Sequence, residues 1–235
     1  MKSKQLSLNI LSKNLINVKF ANMTKSENYL PDIIPIKNDY SYYFQSFTDI
    51  ILTKPIDTSK CYYLIRTFAN CKNLVSIKYL DKIDTSNVLS MQSIFGNDKN
   101  LVDYSGIENW NVSNCICFNQ AFENSGITSL KYFENWNFNN ASCVEMFKNS
   151  ELLSLEGLNK IDFSNVISTN KMFSQLKITS LKGSENLDIS NVKDCSNMFA
   201  YNKNLKDFTG SETWKLPVGM TISNVLNSFD YNCIY

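Results

Sequence analysis

Apolar residues recur along this chain at nearly fixed intervals, and phenylalanine is the most regular of them. The anchor phenylalanines are Phe68, Phe95, Phe122, Phe147, Phe173, Phe199 and Phe229, spaced by 25 to 27 residues among the first six and by 30 before the last. Three further apolar positions follow each of the first six anchors, and polar residues fill the space between them. A recurrence at one fixed period is the sequence signature of stacked repeats.

The three apolar positions hold residues of similar character in every copy. The first comprises Leu74, Leu101, Ile127, Leu152, Ile178 and Leu205. The second comprises Ile77, Tyr104, Leu130, Leu155, Leu181 and Phe208, and the third comprises Ile83, Trp110, Trp136, Ile161, Leu187 and Trp214. We therefore predict that these positions form one continuous core, which includes the three tryptophans.

Each repeat changes its hydrophobic period once. From Ser86 the apolar residues are spaced as on one face of a helix, at Val88, Met91, Ile94 and Phe95. Ser86 is a suitable N-cap, because its hydroxyl can accept a hydrogen bond from a free amide of the first turn. Turn-forming residues follow at 96–100, and a short extended segment begins at Leu101. The pattern predicts an α/β repeat solenoid with one short parallel strand and one short helix per repeat of about 26 residues, built around a spine of phenylalanines.

The solenoid is predicted to cover residues 39–235, with about seven or eight repeats of which the first and last are atypical. Counting back 26 residues from Phe68 places the anchor of a degenerate first repeat at Tyr42, followed by Phe47, Ile50 and Ile56. At the other end, an insertion that contains Pro217 and Gly219 predicts a late start for the last helix. No capping unit is expected after it, so Tyr231 and Tyr235 are candidates for an exposed assembly end.

Residues 1–38 are predicted to form a separate cap or anchor segment. Two stretches in it alternate as half-buried strands do, at Gln5–Ile10 and Leu15–Phe20. The same segment lacks the uninterrupted apolar region of a secretory signal, and no later run has the length of a membrane span. We therefore expect neither a signal peptide nor a membrane span.

Charge and composition exclude several classes of function. The net charge is +1 and Arg66 is the single arginine, which argues against nucleic-acid recognition. The chain has no histidine, so serine–histidine and cysteine–histidine catalytic sites and most zinc sites are excluded. No glycine-rich phosphate loop occurs among the 7 glycines. We expect no enzymatic activity, no bound metal and no cofactor.

The repeated cysteines and asparagines have structural explanations. Most of the 7 cysteines fall within the repeat pattern, where a free thiol is a small buried apolar group. Cys115 and Cys117 are the one close pair, and C-x-C alone is a weak metal motif. Asparagine recurs two residues after the anchor, at Asn70, Asn97, Asn124 and Asn149. We predict that these amides bond backbone groups of their own and adjacent turns and form a ladder that holds the solenoid together.

A column of charged residues is the candidate binding surface. Its acidic members are Asp81, Glu108, Glu134, Glu185 and Glu212, and its basic members, three residues earlier in the unit, are Lys78, Lys131 and Lys182. Stacking would place like charges next to one another, which costs stability unless the surface has a use. The alternative interpretation is a solvated edge that keeps the solenoid soluble and prevents lateral pairing.

The segments TSNVLSMQSIFGNDKNL, SNVISTNKMFSQLKI and SNVKDCSNMFAYNKNL resemble the BspA-like leucine-rich repeats of bacterial surface proteins. The resemblance covers roughly residues 41–235 and implies a leucine-rich-repeat solenoid that binds proteins or cell surfaces without catalysis. Most members of that family are secreted adhesins, and similar repeats occur in phage and protist proteins. Because this chain has no recognisable signal or anchor, the resemblance favours a virion component that attaches to a host. The alternative is a structural assembly subunit of a virion head, tail or decoration layer, with no receptor role.

Overall fold

The computed structural model describes residues 37–45 and 56–226. Each copy of the repeat forms one coil of the chain, and consecutive coils lie directly on top of one another. Parallel β-bridges join the same position of seven successive coils: Asp39, Tyr63, Ser90, Cys117, Ser142, Ser168 and Asp194. Two of these coils form short paired strands, β1 (Ala141–Ser142) and β2 (Val166–Ser168). Further parallel bridges join Ser76 to Asp103, Ser180 to Asp207 and Asp188 to Lys215. Backbone pairing between coils therefore recurs along the whole stack.

The anchor phenylalanines form a continuous column of stacked rings inside the coils. Neighbouring centroids are 5.3 to 5.5 Å apart from Phe44 through Phe68, Phe95, Phe122, Phe147 and Phe173 to Phe199. Every ring in this column is at most 1% exposed. The predicted stacking of the phenylalanines is confirmed from Phe68 to Phe199, and Phe229 lies outside the described residues.

The other repeated apolar positions line the same core. All members of the first and third positions are buried, and so are those of the second except Phe208, which is partly buried against the core. The three tryptophans are 3 to 9% exposed. Their indole N–H groups donate to carbonyls of the preceding coil, from Trp110 to Leu80 at 2.8 Å and from Trp136 to Ile107 at 2.9 Å. The prediction that the tryptophans are core residues is confirmed.

The helix predicted from Ser86 to Phe95 is wrong, because these residues form tight turns on either side of a parallel bridge at Ser90. The amides of Met91, Ser93 and Phe95 each donate to a carbonyl of the next coil at 2.9 Å. The amides between them bond within their own coil, as Ile94 does to Met91 at 3.2 Å. Ser93 has a φ of 51°, which interrupts any helical path. Tight turns that end at Val88 and Ile94 thus place apolar residues three apart, which is the spacing that suggested a helix.

Ser86 is accordingly not a helix N-cap. Its amide donates to Asp84 Oδ1 at 2.9 Å, which closes a local turn. Its carbonyl accepts a bond from Asn114 Nδ2 in the next coil at 2.7 Å. The recurring serine–asparagine element therefore joins neighbouring coils.

The helical segments lie elsewhere in the coil. Five short 3₁₀ helices precede or adjoin the third apolar position, at Leu80–Lys82, Ile107–Asn109, Lys131–Phe133, Leu158–Lys160 and Ser211–Thr213. The α-helix among the described residues, α1 (Ile222–Leu226), belongs to the last repeat. It contacts the preceding coil through a bond from the Phe199 amide to the Val225 carbonyl at 3.0 Å.

The anchor of the first repeat is Phe44 and not Tyr42. The Phe44 ring stacks on Phe68 at 5.4 Å, whereas Tyr42 is 52% exposed and has a φ of 62°. The first repeat is therefore shorter than the 26 residues that placed the anchor at Tyr42. Ile56 is buried as predicted, while Phe47, Ile50 and the predicted segment up to residue 36 lie outside the described residues.

Candidate functional site

The carboxylates of the charged column close turns of their own coils. Glu108 accepts a bond from the Gly106 amide at 2.7 Å, Glu185 from Gly183 at 3.0 Å, and Glu212 from Gly210 at 2.7 Å. The Gly183 bond lowers the pKa of Glu185. These three side chains therefore have a local structural role.

The other members of the column pair with nearby groups or face solvent. Asp81 pairs with Lys82 at 2.6 Å, and Glu134 pairs with Lys160 of the next coil at 2.9 Å. The Lys131 ammonium lies 4.9 Å from the centroid of the Tyr132 ring. Lys78 and Lys182 are exposed, and Tyr231 and Tyr235 lie outside the described residues. A binding role for the charged column stays a prediction.

The asparagine column forms a ladder as predicted, but the predicted bonding partners, which were backbone groups, are wrong. Asn97 Nδ2 donates to Asn70 Oδ1 at 3.2 Å, Asn124 donates to Asn97 at 3.0 Å, and Asn149 donates to Asn124. The four backbones have φ values of 52° to 65°, a region that asparagine tolerates better than most residues. The side chains thus bond to each other rather than to the backbone.

The cysteines that the structure describes are free thiols. Cys61, Cys71, Cys115, Cys143 and Cys195 are buried, and Cys117 is partly exposed. Burial raises the pKa of Cys115 to about 12 and raises that of Cys143 well above its usual value. These buried groups stay protonated and are poor nucleophiles. Among residues 37–45 and 56–226, no cluster of histidine, cysteine or acidic side chains is arranged to hold a metal.

An exposed apolar column crosses three successive coils, those of Phe68, Phe95 and Phe122. Tyr62, Leu89 and Ile116 are 45%, 38% and 56% exposed. Their backbones are neighbours, because the Leu89 amide donates to the Tyr62 carbonyl at 2.8 Å and the Ile116 amide to Leu89 at 3.0 Å. Three large apolar side chains therefore form one continuous strip in solvent.

Around Leu89 and Ile116 the strip lies in a surface without charge, here called the uncharged face, whereas the coil of Tyr62 carries the exposed cations Lys60 and Arg66. The uncharged face comprises Asn87, Leu89, Ser90 and Gln92 from one coil, and Asn114, Ile116, Cys117 and Asn119 from the next. Hydrogen bonds between coils hold it in place: Asn87 Nδ2 donates to the Ser59 carbonyl at 2.9 Å, and Asn119 Oδ1 accepts from the Val144 amide at 3.1 Å. The face is thus a fixed surface of amides, hydroxyls and aliphatic groups.

Charged residues at the border of this face form ion pairs with one another. Lys148 is 2.9 Å from Glu145 and 3.3 Å from Glu123, and Gln120 donates to Glu145 at 3.0 Å. Partial burial is the largest influence and opposes the ionisation of Glu145, but the hydrogen bonds from Lys148 and Gln120 and the charge of Lys148 together outweigh it, so the pKa of Glu145 falls. Within these ion pairs one lysine faces two glutamates, so they leave one negative charge at the border of the face.

A second exposed column lies elsewhere on the coils. Val75, Val102 and Leu153 are 57%, 52% and 63% exposed, with Thr128 between the last two. Charged groups that bridge coils occur on the same part of each coil, since Glu151 lies 2.5 Å from Lys177 and 3.8 Å from Lys99. This column is less continuous and more charged than the uncharged face.

Sequence reasoning missed the uncharged face, although the sequence contains a signal for it. The position six residues before the anchor is Tyr62, Leu89, Ile116, Ala141 and Ile167 in five successive coils. An apolar residue repeated beside the polar serine and asparagine positions marks either core or an exposed strip. The hydrogen bonding between coils, which the sequence does not show, decides that Tyr62, Leu89 and Ile116 face solvent.

Comparison with known proteins places the chain in a family. Residues 62–182 and 171–227 match the family model described as Mycoplasma protein of unknown function, DUF285. No curated protein and no solved structure matches the chain. Within the described residues, no helix is long and apolar enough to cross a membrane. Because the two matches together cover well over half of the sequence, the chain belongs to the DUF285 family of Mycoplasma proteins of unknown function.

Proposed function

We propose that this chain is a BspA-like leucine-rich-repeat solenoid that acts as a non-catalytic binding protein. Its ligand is a protein or a cell-surface molecule, and the uncharged face is the surface that contacts it. The resemblance of the repeat segments to BspA-like repeats supports the adhesive role. The absence of histidine from the sequence supports a function without catalysis.

The observation that carries the proposal is the exposed strip of Tyr62, Leu89 and Ile116. Cores of protein interfaces are depleted in charged residues and enriched in tyrosine. The uncharged face has no charged member, and Tyr62 adjoins it on the coil that carries Lys60 and Arg66. The backbone bonds between coils fix the backbone at the three positions of the strip before a partner arrives, so little backbone entropy is lost on binding. A contiguous apolar surface without a function would favour aggregation.

The second candidate function is structural assembly into a larger particle, such as a virion. The exposed column of Val75, Val102 and Leu153 favours it, because a second apolar surface suits contact between subunits. The two functions differ in the surface they use and in whether the monomer binds cells.

Substitution of the uncharged face tests the binding function. The purified chain, with its oligomeric state measured by light scattering, is titrated onto a panel of intact cells. We expect saturable binding, and we expect Leu89→Asp/Ile116→Asp to weaken it at least tenfold, because two carboxylates would lose their water at the interface. Both positions are exposed, so repulsion between the two stacked carboxylates should lower the melting temperature only slightly.

The charged column supplies the matched control. Glu108→Ala/Glu134→Ala/Glu185→Ala should bind cells within about threefold of the unmodified chain, since truncation of residues outside the hot spot has little effect on affinity. Undiminished binding by the Leu89/Ile116 variant, or loss with the glutamate variant alone, would contradict the proposed surface. A chain that binds no cell, but self-associates until Val75→Asp/Val102→Asp is introduced, would favour assembly.

A further inference from the structure

A buried column of side chains lies three residues after the anchors and bonds to anchor carbonyls. Cys71 Sγ lies 3.1 Å from the Phe44 carbonyl, and Ser125 Oγ donates to the Phe122 carbonyl at 2.7 Å. Asn202 Nδ2 donates to the Phe173 and Phe199 carbonyls at 3.0 and 2.7 Å. These members of the column therefore direct a hydrogen-bond donor at the anchors.

Asn202 uses both atoms of its amide group to join two coils. While Nδ2 donates to the anchor carbonyls, Oδ1 accepts a bond from the Leu176 amide of the preceding coil at 2.6 Å. Asn202 is fully buried. Asn202 thus joins the coil of Phe173 to its own coil through one acceptor atom and one donor atom.

Asp98 lies three residues after the anchor Phe95, which is the position that Asn202 has after Phe199. It too is fully buried. Its Oδ1 accepts a bond from the Cys71 amide of the preceding coil, as Asn202 Oδ1 does from Leu176. Its Oδ2 is buried without a hydrogen-bond partner. The atom of Asn202 equivalent to this Oδ2 is the donor Nδ2, and a carboxyl group can act as a donor only when it carries a proton.

The groups that lie beside Asp98 are neutral and not cationic. The preceding coil contributes the thiol of Cys71, and its own coil contributes the buried phenol of Tyr104. Lys99, the nearest cation in sequence, is exposed and lies 3.8 Å from Glu151. Burial raises the pKa of Asp98 to about 8, against which the Cys71 amide bond acts in the opposite direction.

We propose that Asp98 is a proton-dependent link between two coils of the stack. In the protonated form, its carboxyl group joins the coil of Phe68 to the coil of Phe95, as Asn202 joins the coils of Phe173 and Phe199. Loss of the proton leaves a buried anion beside carbonyl oxygens and loosens this junction. Tyr62 and Leu89 of the proposed binding surface lie on the two coils that Asp98 joins, so the geometry of that surface depends on pH.

The direction of the pH dependence follows from the two pKa values. The pKa of Asp98 is 3.8 when unfolded and about 8 when folded, so the folded chain retains a proton that the unfolded chain releases. Stability from this group is complete below pH 4 and decreases as the pH rises to about 8. Over that interval the equilibrium constant of unfolding increases about tenfold per pH unit.

A reciprocal pair of substitutions tests the proposal. Urea unfolding is measured from pH 5 to pH 9 for the unmodified chain, Asp98→Asn and Asn202→Asp. We divide the equilibrium constant of unfolding of the unmodified chain by that of Asp98→Asn at each pH. We expect this ratio to increase about 100-fold between pH 5 and pH 7. Asn202→Asp, prepared at pH 5, should acquire a pH dependence of the same sign. Amide hydrogen exchange at Cys71 should accelerate between pH 6 and pH 9, after correction for the intrinsic rate, in the unmodified chain and not in Asp98→Asn.

Comparison with variants removes the contribution of other titrating groups. If Asp98→Asn and the unmodified chain show the same pH dependence, Asp98 is not the link. A pH-independent Asn202→Asp would contradict the inferred role of the donor position. Either result leaves the proposed binding function standing, because that function is measured by cell binding at one pH.

Discussion

Phe147→Ala is expected to lower the free energy of unfolding by about 3–5 kcal/mol, the usual cost of deleting a fully buried phenyl ring. The Phe147 ring stacks on Phe122 at 5.5 Å and on Phe173 at 5.3 Å, and Phe133 meets its face edge-on at 5.0 Å. Removal of the ring leaves a cavity between coils whose backbones are already paired to one another, so the neighbours can fill it only in part. Urea or thermal unfolding of the purified variant measures the loss.

Phe147→Leu is the control for volume and apolarity. Because leucine keeps most of the buried apolar surface, this variant should lose clearly less, on the order of 1–2 kcal/mol. The difference between the two variants reports what the cavity itself costs. A loss below about 1 kcal/mol in Phe147→Ala would contradict a stabilising role for the phenylalanine column.

Gly183→Ala is expected to destabilise the chain by about 2–5 kcal/mol for two separate reasons. Gly183 has a φ of +97°, which strains any residue with a Cβ. A Cβ there would also lie 2.6 Å from the Leu155 carbonyl oxygen of the preceding coil, so the coils would have to separate. Thermal unfolding measures the combined effect.

Two other glycines separate the two causes. Gly219 has a φ of +82°, but a Cβ added there would meet no atom within 4 Å, so Gly219→Ala should cost only about 1–2 kcal/mol of backbone strain. Gly126 is not in the left-handed region, but a Cβ there would lie 2.4 Å from the carbonyl oxygens of Lys99 and Leu101. Gly126→Ala therefore isolates the close approach between coils. Equal effects in all three variants would contradict tight stacking at Gly126 and Gly183.

The stacking of the anchors could be predicted from the sequence because one period governs every apolar position. Phe95 and Phe122 recur at a distance that only superimposed coils explain, and burial of Leu101 and Trp110 followed from the same alignment. The column of asparagines was predictable for a similar reason. At a repeated turn, the amide of Asn97 has Asn70 and Asn124 within reach.

The local conformation could not be predicted from the spacing of apolar residues alone. Val88, Met91 and Ile94 fit one face of a helix, but the Met91 and Ser93 amides bond to the next coil. The choice between helix and turns depends on that neighbour, which is about 26 residues away in sequence. The shift from Tyr42 to Phe44 has a related cause, because a terminal repeat is free to differ in length.

The candidate surface was harder to predict because identical residue types serve structure and recognition. Glu108 and Glu185 form a column as expected, yet their carboxylates accept bonds from glycine amides of their own turns. Leu89 and Ile116 are of residue types that usually lie in protein cores, yet both are exposed to solvent. The unusual position of Asp98 becomes visible only beside Asn202, after the coils are superimposed.

Crosslinking to Cys117 tests most directly that residues distant in sequence lie side by side in successive coils. Cys117 is paired by parallel bridges to Ser90 on one side and Ser142 on the other, and it is partly exposed, whereas the other described cysteines are buried. Neighbouring strands lie about 4.8 Å apart, within the range of a disulfide or a short bifunctional thiol reagent. Ser168 is one coil further away, since it pairs with Ser142.

The measurement is peptide mass mapping after mild oxidation of Ser90→Cys, Ser142→Cys and Ser168→Cys, each in the otherwise unmodified chain. We predict a link to Cys117 in the first two variants and none in the third. Links that form equally well from all three positions, or from none of them under conditions that crosslink the unfolded chain, would contradict the stacking of the coils.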